Sequence, residues 1–154
     1  FFQYITMSTS KSLPAYLEKM KAEVLEMNFK EQTLKMSFNP DEFFCHSDGT
    51  ILQGGFITTM LDASMAFLVM QLVDFKKVPL SIDVNVNFLS SGGPKLTIAV
   101  ARINKIGKSI AFSSADLFQD DELIATASSS IKLKDFESRN WIDDTIGKNV
   151  KIIR

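Results

Sequence analysis

The sequence predicts an α+β fold in which one antiparallel sheet curls around a single long helix. Two observations lead to this prediction. Residues 56–75 form the most apolar stretch of the chain, rich in Leu, Met and Ala and free of internal Gly or Pro, which favours a helix buried on nearly all sides. Four later segments alternate apolar and polar residues, which is typical of strands. The helix buries all its faces only if the sheet wraps around it.

Two elements precede this helix. Residues 12–27 carry apolar side chains at roughly helical spacing and predict an N-terminal helix, with Pro14 tolerated in its first turn. Residues 29–38 alternate and predict a strand, which the segment Asn39-Pro40-Asp41 ends. Residues 43–55 predict a loop that leads into the long helix.

Four strands and a tail follow the helix. The strands are predicted over residues 80–89, 95–106, 109–118 and 123–133, and the last three form an antiparallel meander. The tail from residue 135 is polar, with Trp141 and Ile142 as its clear anchors, and is predicted to be held loosely or against a partner subunit.

The strand over residues 80–89 alternates strictly. This pattern predicts two faces, one bearing Ile82, Val84, Val86 and Phe88 and the other bearing Ser81, Asp83, Asn85 and Asn87. The polar face predicts a functional site or a subunit contact.

Length and charge narrow the class of protein. A chain of 154 residues predicts one domain over residues 1–154, with a core at about 29–134. Its 17 basic and 18 acidic residues give a net charge of −1, without the basic footprint of a nucleic-acid-binding protein. No lysine cluster predicts membrane anchoring, and no run approaches ~18 uninterrupted apolar residues.

Cysteine and histidine each occur once, as Cys45 and His46. A single cysteine forms no internal disulfide, and residues 1–6 lack the features of a signal peptide, so we expect a cytoplasmic protein. Two such residues are too few for most structural zinc sites, and we predict no metal. Adjacent side chains usually point apart, so a Cys45–His46 catalytic dyad is not expected.

Asp62 is the main candidate for a catalytic residue, because it lies within the apolar helix between Leu61 and Ala63. A carboxylate in such a place is costly unless it is paired, and proteins place such groups at functional sites. The alternative is a structural carboxylate bonded to a hydroxyl such as that of Thr58 or Ser81.

Gly54 and Gly55 precede the helix and allow close approach to its first backbone amides, which lack intrahelical partners. Such amides can bind a carbonyl oxygen that becomes an oxyanion. Asp62 follows about two helical turns later on roughly the same side, so a bound thioester carbonyl could lie within reach of Asp62 or of a water molecule that it holds. A simple tight turn is the alternative.

Three segments together resemble the hotdog-fold thioesterase superfamily. Residues 49–62, GTILQGGFITTMLD, resemble the signature G-x-x-H-G-G-x-x-x-x-x-x-D. Residues 81–89, SIDVNVNFL, resemble the strand S-V-D-x-x-x-x-[FY]-[LM], and residues 107–112, GKSIAF, resemble G-K-x-x-x-[FY]. The phenylacetyl-CoA thioesterase-like (PaaI-like) branch is the most similar group.

This resemblance implies a β-α-β-β-β-β hotdog fold, hydrolysis of acyl-CoA without a cofactor, and a homodimer or dimer of dimers with active sites at the interface. It implies Asp62 as general base or nucleophile and the Gly54 amide as oxyanion donor, with Gly55 extending the helix N-terminus. Ser81 would orient the attacking water from the partner subunit's side of the site.

Two positions depart from the family pattern. Gln53 stands where His is usual, and it can donate a hydrogen bond to a thioester carbonyl without being able to gain a proton. Ser47 stands where relatives often have Asn or Asp, and neighbouring Asp48 could substitute for it. These changes bear on rate and substrate choice more than on fold.

The substrate itself is less well indicated. Lys105, Lys108 and Ser109 near the Gly107 turn are candidates for contacts with CoA phosphates, although solvated lysines would look the same. Phe56 is a candidate for the acyl pocket, as are Met60 and Met65, although core packing explains them equally well. Aromatic, medium-chain and long-chain acyl groups all stay open. Three other interpretations of the function also stay open: a hotdog dehydratase, a non-catalytic acyl-CoA-binding module, and a chain kept for oligomer assembly.

Overall fold

The computed structural model describes residues 13–135 and 150–154, and its centre is the predicted long helix, α2 (Gly54–Leu72). Met60, Leu61, Met65 and Leu68 on this helix are fully buried. By length and composition alone α2 could cross a membrane, but buried core helices share these properties, and here it packs on strands of the sheet. The expectation of a buried central helix is confirmed.

The ends of α2 differ from the predicted 56–75. The helix begins two residues earlier because the Gln53 side chain caps it, accepting a hydrogen bond from the Gly55 amide. It ends at Leu72 because Asp74 and Phe75 both adopt left-handed backbone angles, with φ of 53°.

Seven strands form one sheet beside α2. In chain order they are β1 (Glu23–Asn28), β2 (Thr33–Phe38), β5 (Lys77–Phe88), β6 (Thr97–Ile106), β7 (Ile110–Gln119), β8 (Glu122–Asp135) and β9 (Lys151–Ile153). Their order across the sheet is β5-β8-β7-β6-β2-β1-β9, antiparallel except for the β1–β9 pair. The helix contacts β2, β5, β6, β7 and β8, so the predicted α+β architecture is confirmed.

The N-terminal helix predicted over residues 12–27 is wrong in its second half. Helix α1 (Ala15–Lys19) has five residues, Lys21 turns the chain with a φ of 52°, and β1 follows. Val24 and Met27 have helical spacing, and both are buried in the strand because its register with β2 shifts between Val24 and Glu26. Residue 12 lies outside the described part of the chain.

Two further segments differ from prediction. Residues 29–32 form the turn between β1 and β2 rather than the start of a strand. The segment 43–55, predicted as a loop, begins within a short 3₁₀ helix (Glu42–Phe44), ends in the first residues of α2 and contains a small hairpin of β3 (Cys45–His46) and β4 (Ile51–Leu52).

The last described residues are ordered against the sheet. Val150 is buried, and β9 pairs in parallel with β1 at the edge opposite β5. This part of the tail therefore packs on its own chain, whereas the predicted anchors Trp141 and Ile142 lie outside the described residues.

Candidate active site

Asp62 contacts a partner on the sheet. The Ser81 hydroxyl donates a hydrogen bond of 2.5 Å to Asp62 Oδ1, and the carboxylate is only partly buried. Thr58, the other hydroxyl considered as a partner, donates instead to the Gly54 carbonyl within the helix. The resemblance places Ser81 on the partner subunit's side, but here Ser81 of the same chain reaches Asp62.

Ser81 faces the helix because of a β-bulge. The register between β5 and β8 shifts between Ser81 and Asp83, so Ile82 has no partner in the ladder. Ser81 pairs with Ile131, which is fully buried, and side chains of paired residues share a face of the sheet. The predicted strict alternation is therefore wrong at this point: Ser81 joins Val84 on the inner face, and Ile82 is 59% exposed.

Asp62 lines a cavity of about 500 Å³. Its walls come from α2, β5, the 3₁₀ helix and α1, and they are mostly apolar. We call this the Asp62 cavity; besides Asp62 it is lined by Tyr16, Lys19, Met20, Phe43, Phe44, Phe56, Thr58, Thr59, Ala63 and Val84. Phe56, a predicted acyl-pocket residue, is among them, whereas Met60 and Met65 lie in the core.

Helix α1 closes one side of this cavity, anchored by buried Leu17 and Met20. The pKa of the Tyr16 phenol is raised above its ordinary value of 10.0, first by burial and then by the negative charge of Asp62. Tyr16 is nevertheless 52% exposed, so it stands at the cavity mouth as a neutral hydrogen-bond donor near the carboxylate.

Neither Gly54 nor Gly55 lines the Asp62 cavity. The Gly55 amide is already paired, because it donates a hydrogen bond of 2.7 Å to the Gln53 side-chain oxygen. Within the described chain the Gly54 amide has no hydrogen-bond acceptor, so it is the free donor at the helix N-terminus. Gly54 borders a separate cavity of about 380 Å³ beneath Phe88, and a Cβ at Gly54 would lie 3.2 Å from Phe88 Cζ.

Within one chain, Gly54 and Asp62 therefore face different cavities. They are eight residues apart, about 12 Å along the helix axis. The tilt of helical side chains toward the N-terminus narrows this gap only in part. Within one chain a carbonyl bound at the Gly54 amide therefore does not also contact Asp62 directly, and the expectation that it lies within reach of a water held by Asp62 stays a prediction.

Ser47 lies away from both cavities, in the β3–β4 hairpin. Ser47 and Asp48 have φ angles of 53° and 56°, and the Ser47 hydroxyl lies 2.9 Å from His46 Nδ1. The Cys45 thiol faces the Asp41 carbonyl, and its pKa is raised by burial and then by the charges of Asp41 and Glu42. The adjacent Cys45 and His46 thus do not form a dyad.

The predicted CoA-binding residues lie elsewhere on the surface. Lys105, Lys108 and Ser109 are exposed around the turn between β6 and β7, and none lines the Asp62 cavity. Strand β7 is two strands from β5, roughly 10 Å across the sheet. Within the described residues no group of three or more His, Cys, Asp or Glu side chains could hold a metal ion.

Sequence analysis missed the contribution of α1 and the 3₁₀ helix to the Asp62 cavity. Phe43, Phe44 and Phe56 form a row of edge-to-face rings with centroids 5.1 and 4.9 Å apart. The Lys19 ammonium sits 4.4 Å from the Phe43 ring centroid. The adjacent Phe43-Phe44 pair was a visible signal, but its contact with α1 depends on tertiary structure.

Comparison with known proteins decides the family. The Thioesterase superfamily profile matches residues 49–126, just over half of the chain, and this range includes the Gly54-Gly55 pair, Asp62 and Ser81. The chain belongs to the Thioesterase superfamily. The predicted hotdog fold is thereby confirmed. No curated protein matches the chain in sequence.

Solved structures share this superfamily fold. A phenylacetic acid degradation-related protein from Ralstonia eutropha aligns with a TM-score of 0.75 at 22% identity, over 79% of this chain and 92% of that one. A thioesterase from Haemophilus influenzae gives 0.71 at 14% identity, over 87% and 99%. Zebra fish thioesterase superfamily member 2 gives 0.67 at 22% identity, over 80% and 88%. At these identities the likeness establishes the fold alone.

Proposed function

We propose that this protein hydrolyses acyl-CoA thioesters, with Asp62 as its catalytic carboxylate. The observation that carries the proposal is the Asp62–Ser81 pair at the wall of a mostly apolar cavity. The Ser81 hydrogen bond occupies Oδ1 and fixes the carboxylate, so Oδ2 is left to accept a proton from water. Membership of the Thioesterase superfamily supports the reaction class.

The proposed reaction begins when Asp62 removes a proton from a water molecule, whose oxygen attacks the thioester carbon. The resulting oxyanion is stabilised by an amide such as that of Gly54, which has no other acceptor in the described chain. Collapse of this intermediate breaks the carbon–sulfur bond. Asp62 returns its proton to the CoA sulfur, giving a free acid and CoA.

The proposed unit is a homodimer that builds each active site from two chains. Asp62 and Gly54 face different cavities within one chain, so the Gly54 amide of one copy would serve the Asp62–Ser81 pair of the other. The twelve-residue strand β5 supports this arrangement, because among the described residues it pairs with β8 alone and leaves a sheet edge with Leu80, Ile82 and Phe88 exposed. Uncovered long edges are uncommon in monomers.

The test is CoA thiol release from phenylacetyl, hydroxybenzoyl, hexanoyl, decanoyl and palmitoyl thioesters. We expect turnover by the wild type and a loss of at least ~10²-fold in Asp62→Asn, the low end for a positioned base. Asp74→Asn is the matched control, because Asp74 is an exposed loop residue whose left-handed backbone suits Asn. Unchanged turnover in a folded Asp62→Asn variant would contradict the assignment.

Single turnover in ¹⁸O-water tests for a nucleophilic Asp62, because label in its carboxylate requires an acyl anhydride, whereas an unlabelled carboxylate fits a general base or attack of water at the acyl carbon. A general base leaves the Asp62 carboxylate unlabelled, whereas a nucleophile that forms an acyl anhydride acquires label when water attacks its carboxyl carbon. Mass spectrometry of the peptide containing Asp62 reads this difference directly.

A non-catalytic acyl-CoA-binding module is the second candidate, favoured by one observation: Gln53 takes up the Gly55 amide and leaves a single free donor at the helix N-terminus. It predicts tight binding without thiol release. The dehydratase alternative lacks support, because His46 is the chain's single histidine and does not line the Asp62 cavity.

A further inference from the structure

Two charged groups line the Asp62 cavity among the described residues, and the proposed reaction uses one of them. Asp62 would act on the thioester, whereas Lys19 on α1 has no assigned role. Within residues 13–135 and 150–154, Lys19 forms no ion pair, and its ammonium is held over the Phe43 ring. Lys19 is exposed, so its ammonium stands at the rim of this mostly apolar cavity, where it can contact an anionic group of a bound ligand.

The residues that line the cavity are connected through one aromatic wall. Tyr16 lies close enough to Asp62 for the carboxylate charge to affect it, and Lys19 follows three residues later on the same face of α1. Lys19 contacts Phe43, which begins the ring row leading through Phe44 to Phe56 in the first turn of α2. Phe56 precedes Asp62 by six residues, about 9 Å along the helix axis. Asp62 and Lys19 therefore both border the cavity whose aromatic wall runs from Phe43 to Phe56.

From this arrangement, and resting on the proposed thioesterase function, we infer that Lys19 selects acyl groups carrying a distal carboxylate, with the thioester at Asp62 and the carboxylate at Lys19. The favoured substrate class is the mono-CoA thioester of a dicarboxylic acid, with an apolar middle that packs along Phe44 and Phe56. Tyr16 stands beside the thioester end as a neutral donor, and Lys19 supplies the charge that recognises the far end.

The test compares adipoyl-CoA with hexanoyl-CoA, which have six-carbon acyl chains and differ in the distal carboxylate. We expect the wild type to prefer adipoyl-CoA by about two- to fivefold in kcat/KM, the size of one solvent-exposed ion pair. Lys19→Met should remove this preference by lowering the adipoyl value while leaving the hexanoyl value nearly unchanged. Lys19→Arg should retain the preference, and Lys30→Met, an exposed lysine outside the cavity, should match the wild type.

Dissociation constants for both thioesters, measured by calorimetry with Asp62→Asn and with Asp62→Asn/Lys19→Met, separate this inference from the proposed reaction. Tighter binding of adipoyl-CoA that depends on Lys19 supports the inference even if no thioester is hydrolysed. Hydrolysis without any preference for adipoyl-CoA overturns the inference and leaves the thioesterase proposal standing. An equal loss for both thioesters in Lys19→Met also overturns it, because Lys19 would then contact the CoA moiety.

Discussion

Ser81 reaches Asp62 because Ile82 bulges out of the ladder between β5 and β8. Without the extra residue, Ser81 would follow the alternation of the strand and point away from the helix. A single unpaired residue at the sheet edge thus brings a hydroxyl to the candidate catalytic carboxylate, and bulges commonly re-aim a side chain beside an active site.

Removing this hydroxyl should slow the reaction without unfolding the protein. For Ser81→Ala we expect kcat to fall about 10- to 100-fold, because one hydrogen bond to a charged group contributes roughly 1.5–3 kcal/mol. Ser128→Ala, an exposed serine on β8, is the control. Steady-state kinetics beside thermal unfolding provide the comparison, and a normal kcat in folded Ser81→Ala would remove Ser81 from the mechanism.

Mixing two inactive variants tests whether each site is built from two chains. Gly54→Val crowds Phe88 and the free amide, whereas Asp62→Asn removes the base. After unfolding and refolding of an equal mixture, half of the dimers are mixed and each has one intact site, so activity should return to about a quarter of the wild-type value. If activity stays at the level of the single variants, both groups act within one chain.

A charge placed on the open sheet edge should weaken dimer formation. For Ile82→Lys we expect a shift toward monomer at micromolar concentration and a parallel loss of thiol release, because a lysine on an edge strand opposes strand pairing. Size-exclusion chromatography with light scattering measures the mass, and it also distinguishes a dimer from a dimer of dimers. Lys35→Glu, also at an exposed position, is the control, because it changes charge on β2, four strands away from β5. A wild-type mass for Ile82→Lys would place the contact elsewhere.

Tyr16 should make stability depend on pH in alkaline solution. Its pKa is raised in the folded state, so the unfolded chain loses the phenol proton first, near pH 10. The stability that the protonated Tyr16 phenol contributes to the folded state is fully present below pH 10, and it is lost as pH rises through the pKa of Tyr16 in the folded protein. Denaturant midpoints at pH 8, 10 and 11 should therefore fall more steeply for the wild type than for Tyr16→Phe. Asp62→Asn should reduce the difference only in part, because burial is the larger cause.

The sequence predicted the central helix and the four later strands because their apolar periodicity is long and unambiguous. It failed at β1, where Val24 and Met27 have helical spacing and are both buried in the strand only because the register with β2 shifts between Val24 and Glu26. The ends of α2 were also displaced, since a glutamine cap and two successive left-handed residues carry weak local signals.

The candidate site was predicted in part. Asp62, Gly54 and Ser81 were recognised from motifs, but the bulge at Ile82 and the separation of Gly54 from Asp62 arise from sheet register and helix length. The cavity wall formed by Tyr16 and Lys19 brings α1 to the same cavity as α2, a long-range arrangement that periodicity does not encode.

The two edges of the sheet differ fourfold in length. Strand β5 has twelve residues, whereas β9 at the other edge has three. Two copies that join through their long edges about a twofold axis leave only short edges outside, which offer little backbone for another copy to extend. The unequal edges therefore favour a closed pair over an open-ended fibre, so the geometry that would complete the active site also limits polymerisation.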